Sequence, residues 1–129
     1  MIVVDTNVIA YLLIRGERSG AMDRLLDRDP DWVAPRLWLD EFLNVLCTYE
    51  RTGGIGSAQS MALLEDALAL MEGASYEVAP ERVLAVARRT GCSGYDSQYI
   101  ALAEDLGVKF HTCDRRVVRK CPGLAVQAG

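Results

Sequence analysis

The sequence predicts an α/β fold, with a three-layer α/β/α architecture around a mostly parallel central sheet. Short apolar runs alternate with amphipathic stretches along the whole chain, which is typical of strands joined by helical crossovers. The first run, Ile-Val-Val at positions 2–4, contains no polar residue, as expected for a strand that is covered on both faces. Because such crossovers are right-handed, the carboxyl ends of the strands should meet at one edge of the sheet.

Length and composition limit the classes of protein. The 129 residues suit one domain, residues 1–129, and half of them are apolar. The net charge of −4 excludes a general basic surface for nucleic acid, although local arginines or a bound metal can still serve a nuclease. The sequence has neither a signal peptide nor an apolar segment of ~20 residues, so we expect a cytoplasmic protein with no membrane association.

The thiols and the imidazole do not form a recognisable metal motif. The four cysteines are widely spaced, and His111 is the one histidine, which disfavours a zinc site. A disulfide framework is not expected for so apolar a core. We therefore expect the cysteines to be reduced and mostly buried as small apolar side chains.

The apolar patterns and the turn signals divide the chain into short elements. Strands are predicted at residues 2–4, 32–34, 75–78, 108–112 and 124–126. Helices are predicted at residues 8–13, 19–28, 36–51, 57–71, 80–90, 93–106 and 115–120, and Pro35 is expected just before the third of them. The glycines at positions 53, 54 and 56 follow a helix rather than a strand, which excludes a dinucleotide-binding loop.

Helical periodicity assigns the buried face of three of these helices. The predicted stripes are Trp38, Phe42, Val45, Leu46 and Tyr49 on the third helix, Met61, Leu64, Leu68 and Met71 on the fourth, and Tyr95, Tyr99, Leu102 and Leu106 on the sixth. Asp40 lies nearly opposite the stripe of the third helix and should be solvated. Glu41 lies on its flank and can lean toward the elements that the helix packs against.

Four acidic residues are expected near the carboxyl edge of the sheet. Asp5 and Asp114 directly follow strands, Asp96 lies in the first turn of a helix that enters this edge, and Glu41 can lean over it. Each has a structural alternative. Asp5 and Asp114 suit helix N-caps, Ser93-x-x-Asp96 has the spacing of a capping box, and Glu41 can be an ordinary boundary glutamate.

If these carboxylates converge, they repel one another and need a cation, so at least one should have a raised pKa. An all-oxygen cluster is the ligand set that suits Mg²⁺ or Mn²⁺. The main chemistry of such ions is hydrolysis or transfer at phosphorus.

Four segments together closely resemble the PIN-domain ribonucleases, over essentially the whole chain. They are Ile-Val-Val-Asp5-Thr-Asn-Val, Trp-Leu-Asp-Glu41-Phe-Leu-Asn-Val-Leu, Tyr-Asp96-x-x-Tyr-Ile-x-Leu-Ala and His-Thr-Cys-Asp114. The length and the single-domain layout resemble the VapC-type toxins of toxin–antitoxin pairs.

The resemblance implies a PIN-like fold and an endoribonuclease that uses Mg²⁺ or Mn²⁺. The metal-binding carboxylates match Asp5, Glu41, Asp96 and Asp114, while Thr112, and Thr6 or Asn7, match supporting polar positions. It also implies RNA as substrate, a homodimer and a small antitoxin as partner. Many members carry a further acid after the fourth carboxylate, where this chain has Arg115 and Arg116, which puts a second metal position in doubt.

Three other classes are alternatives. A haloacid-dehalogenase-like phosphatase also begins with an Asp after its first strand, but it needs a second Asp where this chain has Asn7. A phosphoreceiver domain needs paired acids before the first helix and a late lysine, and neither is clear. A regulatory or RNA-processing scaffold, in which the acids serve only as caps, is the non-enzymatic alternative.

Arginines flank the predicted acidic crevice in the sequence. They are Arg15, Arg18, Arg115, Arg116 and Arg119. We expect some of them, first Arg116, Arg115 and Arg15, to contact substrate phosphates.

Overall fold

Five strands form the central sheet of the computed structural model, which describes residues 1–129. Numbered in chain order, they are β1 (Ile2–Val4), β2 (Trp32–Pro35), β3 (Ser75–Tyr76), β4 (Phe110–Thr112) and β5 (Ala125–Gln127). The order across the sheet is β3-β2-β1-β4-β5, and every neighbouring pair is parallel. The predicted α/β class is therefore confirmed, and the sheet is parallel throughout.

Seven helices cover the two faces of this sheet in a three-layer α/β/α arrangement. They are α1 (Thr6–Leu13), α2 (Ser19–Arg28), α3 (Leu37–Arg51), α4 (Ser57–Leu70), α5 (Pro80–Thr90), α6 (Gly94–Leu106) and α7 (Arg115–Lys120). Helix α6 packs against β1, β2 and β4, and α1 packs against α2, α3 and α4. None of the helices combines the length and the apolar character that a membrane crossing requires.

Some predicted boundaries near the edge of the sheet were wrong. The third strand ends at Tyr76 rather than at residue 78, because β3 is an edge strand that pairs only with β2, through Ala34 with Ser75 and Pro35 with Tyr76. The second strand ends at Pro35 rather than at residue 34, and the next helix starts at Leu37 rather than at residue 36. A proline is tolerated there because it is the last residue of the strand, so the hydrogen-bond ladder does not continue past its missing N–H.

The core is built on β1, whose residues Ile2, Val3 and Val4 are all buried. Their burial on both faces agrees with the continuous apolar run in the sequence. On α3, Trp38, Phe42 and Leu46 are buried as predicted, whereas Tyr49 is exposed in the last turns of the helix.

The predicted inward face of α4 was wrong at two of its four positions, since Met71 is buried and Leu64 packs against the core as predicted. Met61 and Leu68 are exposed, while Ser60, Leu63 and Ala67 form the buried face. Apolar residues occupy most sides of this helix, so two stripes about one residue apart have nearly equal hydrophobicity. Periodicity alone does not choose between two such stripes.

The predicted stripe of α6 packs against the core except at its start. Tyr99 and Leu102 are buried, but Tyr95 is 65% exposed. Tyr95 lies in the first turn, beside the carboxyl edge of the sheet, where no further layer covers it.

All four cysteines are free thiols, in agreement with their wide spacing. Cys92 and Cys121 are buried, Cys113 is partly buried and Cys47 is exposed. The expectation of small buried side chains therefore fails at Cys47, which lies on the outer side of α3.

A candidate metal centre at the sheet edge

The direction in which successive strands are added to the sheet changes between β1 and β4. From β1 the chain passes to β2 and β3 on one side, and it then returns to β4 and β5 on the other. Asp5 directly follows β1, and Asp114 lies two residues after the end of β4. Ligands of parallel α/β sheets bind outside the carboxyl ends of the strands at such a switch point.

Asp5 is fixed at this point by the strand beside it and by the helix after it. The Val8 N–H donates to Asp5 Oδ1 over 3.1 Å, which makes Asp5 the N-cap of α1. The Thr112 hydroxyl donates a short hydrogen bond to Asp5 Oδ2 and accepts one from the Asp114 N–H at 3.0 Å. Thr112 thus links the two acids that follow β1 and β4.

Glu41 is held by two hydroxyl groups from other elements. The Tyr99 hydroxyl donates to Glu41 Oε1 over 2.6 Å, and the Thr6 hydroxyl donates to the same oxygen over 3.1 Å. The two hydroxyl oxygens are themselves 2.8 Å apart. Asp40 is exposed, as predicted, while Glu41 is partly buried.

Tyr99 is a residue of this site to which the sequence interpretation gave no role there, although it lies in an apolar stripe and in one of the four segments that resemble the PIN family. The ring belongs to the core and stacks on Phe110 with a centroid distance of 5.5 Å. A buried tyrosine hydroxyl needs a polar partner, and this requirement is the signal that could have identified it.

Asp96 and Asp114 lie at the first turns of two helices. The Asp96 N–H donates to Ser93 Oγ over 3.0 Å, so Ser93 is the N-cap of α6. Asp114 caps α7 by accepting from the Arg116 N–H at 2.9 Å, and it also forms an ion pair with the Arg116 guanidinium at 3.2 Å. The capping alternative therefore holds for Asp5 and Asp114, and it coexists with their position at the sheet edge.

All four predicted acids line one open cleft with a volume of about 410 Å³. Other lining residues are Thr6, Asn7, Leu37, Asp40, Asn44, Val45, Tyr95 and Tyr99. The supporting positions Thr6 and Asn7 thus belong to the cleft. The side chains are spread along its walls, and no three acidic, histidine or cysteine side chains converge into a ready-made metal cage.

The electrostatics of the cleft favour a positive ligand at its buried end. The pKa of Asp5 is raised to about 6, mainly because the carboxyl group is buried. The hydrogen bonds from Thr112 and Val8 lower this pKa, and the negative charge of Asp96 raises it further. Burial and the Asp114 charge raise the pKa of Asp96. Arg116 lowers the pKa of Asp114. The expected raised pKa is present, but burial contributes more to it than repulsion between the acids.

The donor set fits a hard cation. The charged side chains that line the cleft are all carboxylates, and Mg²⁺ and Mn²⁺ prefer such oxygen donors. His111, a residue of β4, lines a different depression with Asp29, and burial lowers its pKa. The residues that line the cleft therefore include neither a histidine nor a cysteine.

The predicted phosphate-binding arginines occupy two separate places. Arg115 and Arg116 are exposed at the start of α7, beside Asp114. Arg15 lies beyond the other end of α1, in a second cleft, and pairs with both carboxylate oxygens of Asp23 at 2.9 and 2.7 Å. Arg18 lines that second cleft as well, with its guanidinium 4.9 Å from the centre of the Tyr11 ring. The structure thus brings Arg116, but not Arg15, to the acids.

Comparisons with known proteins agree with this architecture. The family model described as PIN domain matches residues 2–121. Ribonuclease VapC3 of Pyrobaculum aerophilum is 30% identical over 126 residues, which cover 95% of this chain and 96% of that protein.

Two crystal structures share the fold. The structure of PAE2754 from Pyrobaculum aerophilum matches with a TM-score of 0.74 and 23% identity, covering 98% of this chain and 90% of the other. The structure of FitAcB from Neisseria gonorrhoeae also matches with a TM-score of 0.74, at 18% identity, covering 99% and 98%.

Proposed function

The chain belongs to the PIN-domain family, and from this premise we propose that it is an endoribonuclease that hydrolyses RNA phosphodiester bonds with Mg²⁺ or Mn²⁺. One observation carries the proposal: Asp5, Glu41, Asp96 and Asp114, which come from four parts of the chain, line one cleft at the switch point of the sheet. The 30% identity to Ribonuclease VapC3 supports RNA as the substrate.

The four carboxylates are the residues that would hold the cation. When bound there, Mg²⁺ or Mn²⁺ would supply an activated water and offset negative charge on the phosphate. The other residues of the cleft orient these ligands. Thr112 holds Asp5, whereas Thr6 and Tyr99 hold Glu41. Such supporting hydrogen bonds fix a ligand's orientation and tune its affinity.

Arg116 is the residue that we propose for binding substrate phosphate. Its side chain is 76% exposed and rests on Asp114 at 3.2 Å, at the edge of the cleft. An exposed ion pair of this kind contributes little to stability, so the guanidinium can exchange its carboxylate partner for a phosphate at small cost. Arg115, exposed in the same turn, can add a second contact.

The wider role that we propose is that of the toxin in a type II toxin–antitoxin pair. The similarity to Ribonuclease VapC3 supports this role, with a small antitoxin and a second copy of the chain as partners. Co-expression with the product of the neighbouring gene tests it. A stable complex that suppresses RNA cleavage is the expected result, and a neighbour that neither binds nor inhibits would contradict it.

A cleavage assay with matched variants tests the enzymatic proposal. Protein freed of metal with EDTA should cleave RNA only after Mn²⁺ or Mg²⁺ is added, with a defined cleavage position by end mapping. Glu41→Gln should abolish cleavage, while Asp40→Asn, which changes the adjacent exposed acid, should preserve it. A contaminating nuclease would cleave equally in both preparations.

Two outcomes would contradict the mechanism. One is undiminished cleavage in EDTA, and the other is equal activity of the Glu41 and Asp40 variants. A scaffold whose acids serve only as caps would ignore both the metal and the substitutions.

A further inference from the structure

Tyr95 is the most exposed large apolar side chain of the protein, with 65% of its surface accessible. Single exposed aromatic residues are ordinary on protein surfaces, so exposure alone carries no functional meaning. Its position is what distinguishes Tyr95, because it lines the carboxylate cleft and directly precedes Asp96 in the first turn of α6.

Tyr95 has no evident role in holding the fold. Its hydroxyl makes no hydrogen bond within the chain, in contrast to that of Tyr99 one turn later, and Ser93 rather than Tyr95 caps α6. The core contains Tyr99, Ile100 and Leu102 of the same helix but not Tyr95. The ring can therefore be removed with little effect on stability.

The wall of the cleft offers more than ligands for a cation. Leu37 and Val45 supply apolar surface, and the exposed side-chain amides of Asn7 and Asn44 make no hydrogen bond within the chain. A ring face, apolar surface and free amide groups are the features that bind a nucleobase, which has a flat apolar face and polar edges. A bound cation alone would use none of them.

We propose that Tyr95 forms a nucleobase subsite beside the carboxylates, in which one unpaired base of an RNA strand stacks on the tyrosine ring. The inference rests on the proposed ribonuclease function. The subsite requires an unpaired base, because a base within a duplex is stacked on both faces and has no free face for a protein side chain. It also predicts tolerance of base identity, since every base has a face that can stack.

The test removes the ring and the base separately and then together. After the cleavage position has been mapped on a single-stranded oligoribonucleotide, abasic residues are placed at each flanking position in turn. With the parent protein, one of these positions should lower kcat/KM by about 5- to 150-fold, which corresponds to the ~1–3 kcal/mol of one stacked base. On the intact strand, Tyr95→Ala should lower kcat/KM by a similar factor. On the strand with that abasic position, the parent and Tyr95→Ala should have the same kcat/KM.

Two further variants separate stacking from other effects. Tyr95→Phe keeps the ring and should retain the parent values. Tyr49→Ala removes another exposed helical tyrosine, which lines the second cleft, and should leave the response to the abasic position unchanged. The melting midpoints of the Tyr95 variants should match that of the parent.

Three outcomes would overturn the subsite. Additive losses from Tyr95→Ala and the abasic position would show that the ring and the base do not meet. Unchanged kcat/KM in Tyr95→Ala would leave the ring as a surface for a protein partner instead. A parent protein that cleaves no RNA with either metal would overturn the subsite together with the proposed function, whereas normal cleavage without coupling overturns the subsite alone.

Discussion

The Tyr99 hydroxyl donates a 2.6 Å hydrogen bond to the Glu41 carboxylate, across 58 positions of sequence. This contact joins the buried face of α6 to the flank of α3, so that a residue of the core sets the orientation of an acid in the cleft. Both burial and the adjacent Glu41 carboxylate raise the pKa of Tyr99, which keeps the hydroxyl protonated and able to donate. The position of Glu41 therefore depends on how the core is packed.

Tyr99→Phe should weaken the metal site more than it weakens the fold. The phenylalanine keeps the stacking on Phe110 but leaves Glu41 with one hydroxyl donor, that of Thr6. Loss of a supporting hydrogen bond of this kind typically costs about 10- to 100-fold in metal affinity or activity. The Mn²⁺ concentration for half-maximal RNA cleavage should rise by about this factor.

Tyr76→Phe is the matched control for this prediction, because Tyr76 is a partly buried tyrosine in β3 and does not line the cleft. Its metal requirement should equal that of the parent. If Tyr99→Phe has the same metal requirement as the control, the hydrogen bond to Glu41 does not position a ligand.

The stability of the metal-free protein should depend on the ionisation of Asp5. The pKa of Asp5 in the folded chain, about 6, exceeds its ordinary value of 3.8, so the native state binds more protons than the unfolded state between these values. This contribution to the free energy of unfolding is fully present below pH ~4 and is lost as the pH rises through about 6. The difference between these two pKa values corresponds to at most ~3 kcal/mol in the free energy of unfolding.

Asp5→Asn should remove this pH dependence, because the amide does not ionise and its oxygen can still accept from the Val8 N–H. Urea unfolding of both proteins in EDTA, from pH 4 to pH 7.5, measures the difference. The variant should gain stability relative to the parent as the pH rises, and parallel pH profiles would show that Asp5 titrates normally.

Metal binding should stabilise the parent and not Asp5→Asn. Mn²⁺ at ten times its dissociation constant should add about 1.4 kcal/mol to the free energy of unfolding, a melting shift of roughly 3–6 °C for a domain of this size. Loss of one carboxylate ligand should remove most of this shift. Asp66→Asn, at an exposed position on α4, should keep the full shift.

These melts also separate the metal site from simple helix capping. At an N-cap, Asn and Asp are nearly equivalent, so a purely capping Asp5 predicts the same response to Mn²⁺ in parent and variant. An equal shift in both proteins, or none in either, would count against the four-carboxylate site.

The sequence was sufficient to predict Asp5 and Asp114 at one edge of the sheet, because each follows an apolar run and parallel strands share a carboxyl edge. The flank position of Glu41 followed from helical periodicity in the same way. Tyr99 was not predicted as part of the site, since periodicity assigns a side chain to a face but does not identify the partner of its hydroxyl. That partner, Glu41, lies on another helix, and its distance from Tyr99 depends on where the fold places α3 relative to α6.

The distance of Arg15 from the acids follows from the direction of α1. The helix starts at the sheet edge and runs away from it, and at 1.5 Å per residue its far end lies about 12 Å away. Nearness in the sequence to Asp5 was therefore a poor guide. Arg116 is two residues from Asp114, within the same helical turn, so nearness in the sequence there implied nearness in space.

The two arginine positions predict different effects of salt on RNA binding. Each phosphate contact on a single strand contributes about −0.7 to the slope of log affinity against log salt concentration. Arg116→Ala should flatten the slope by about this amount and leave the cleavage position unchanged, while Arg116→Lys should keep the slope, because the positive charge remains. Affinities measured between low and moderate salt give these values.

Arg15→Ala tests whether the bound strand reaches the second cleft. Arg15 is already paired with Asp23, so a phosphate must compete with a bidentate carboxylate contact there. A slope flattened in both alanine variants would extend the RNA path along α1 from the acids to Arg15. A slope flattened only in Arg116→Ala would confine the RNA path to the side of α7. An unchanged slope in both variants would show that neither arginine binds a phosphate.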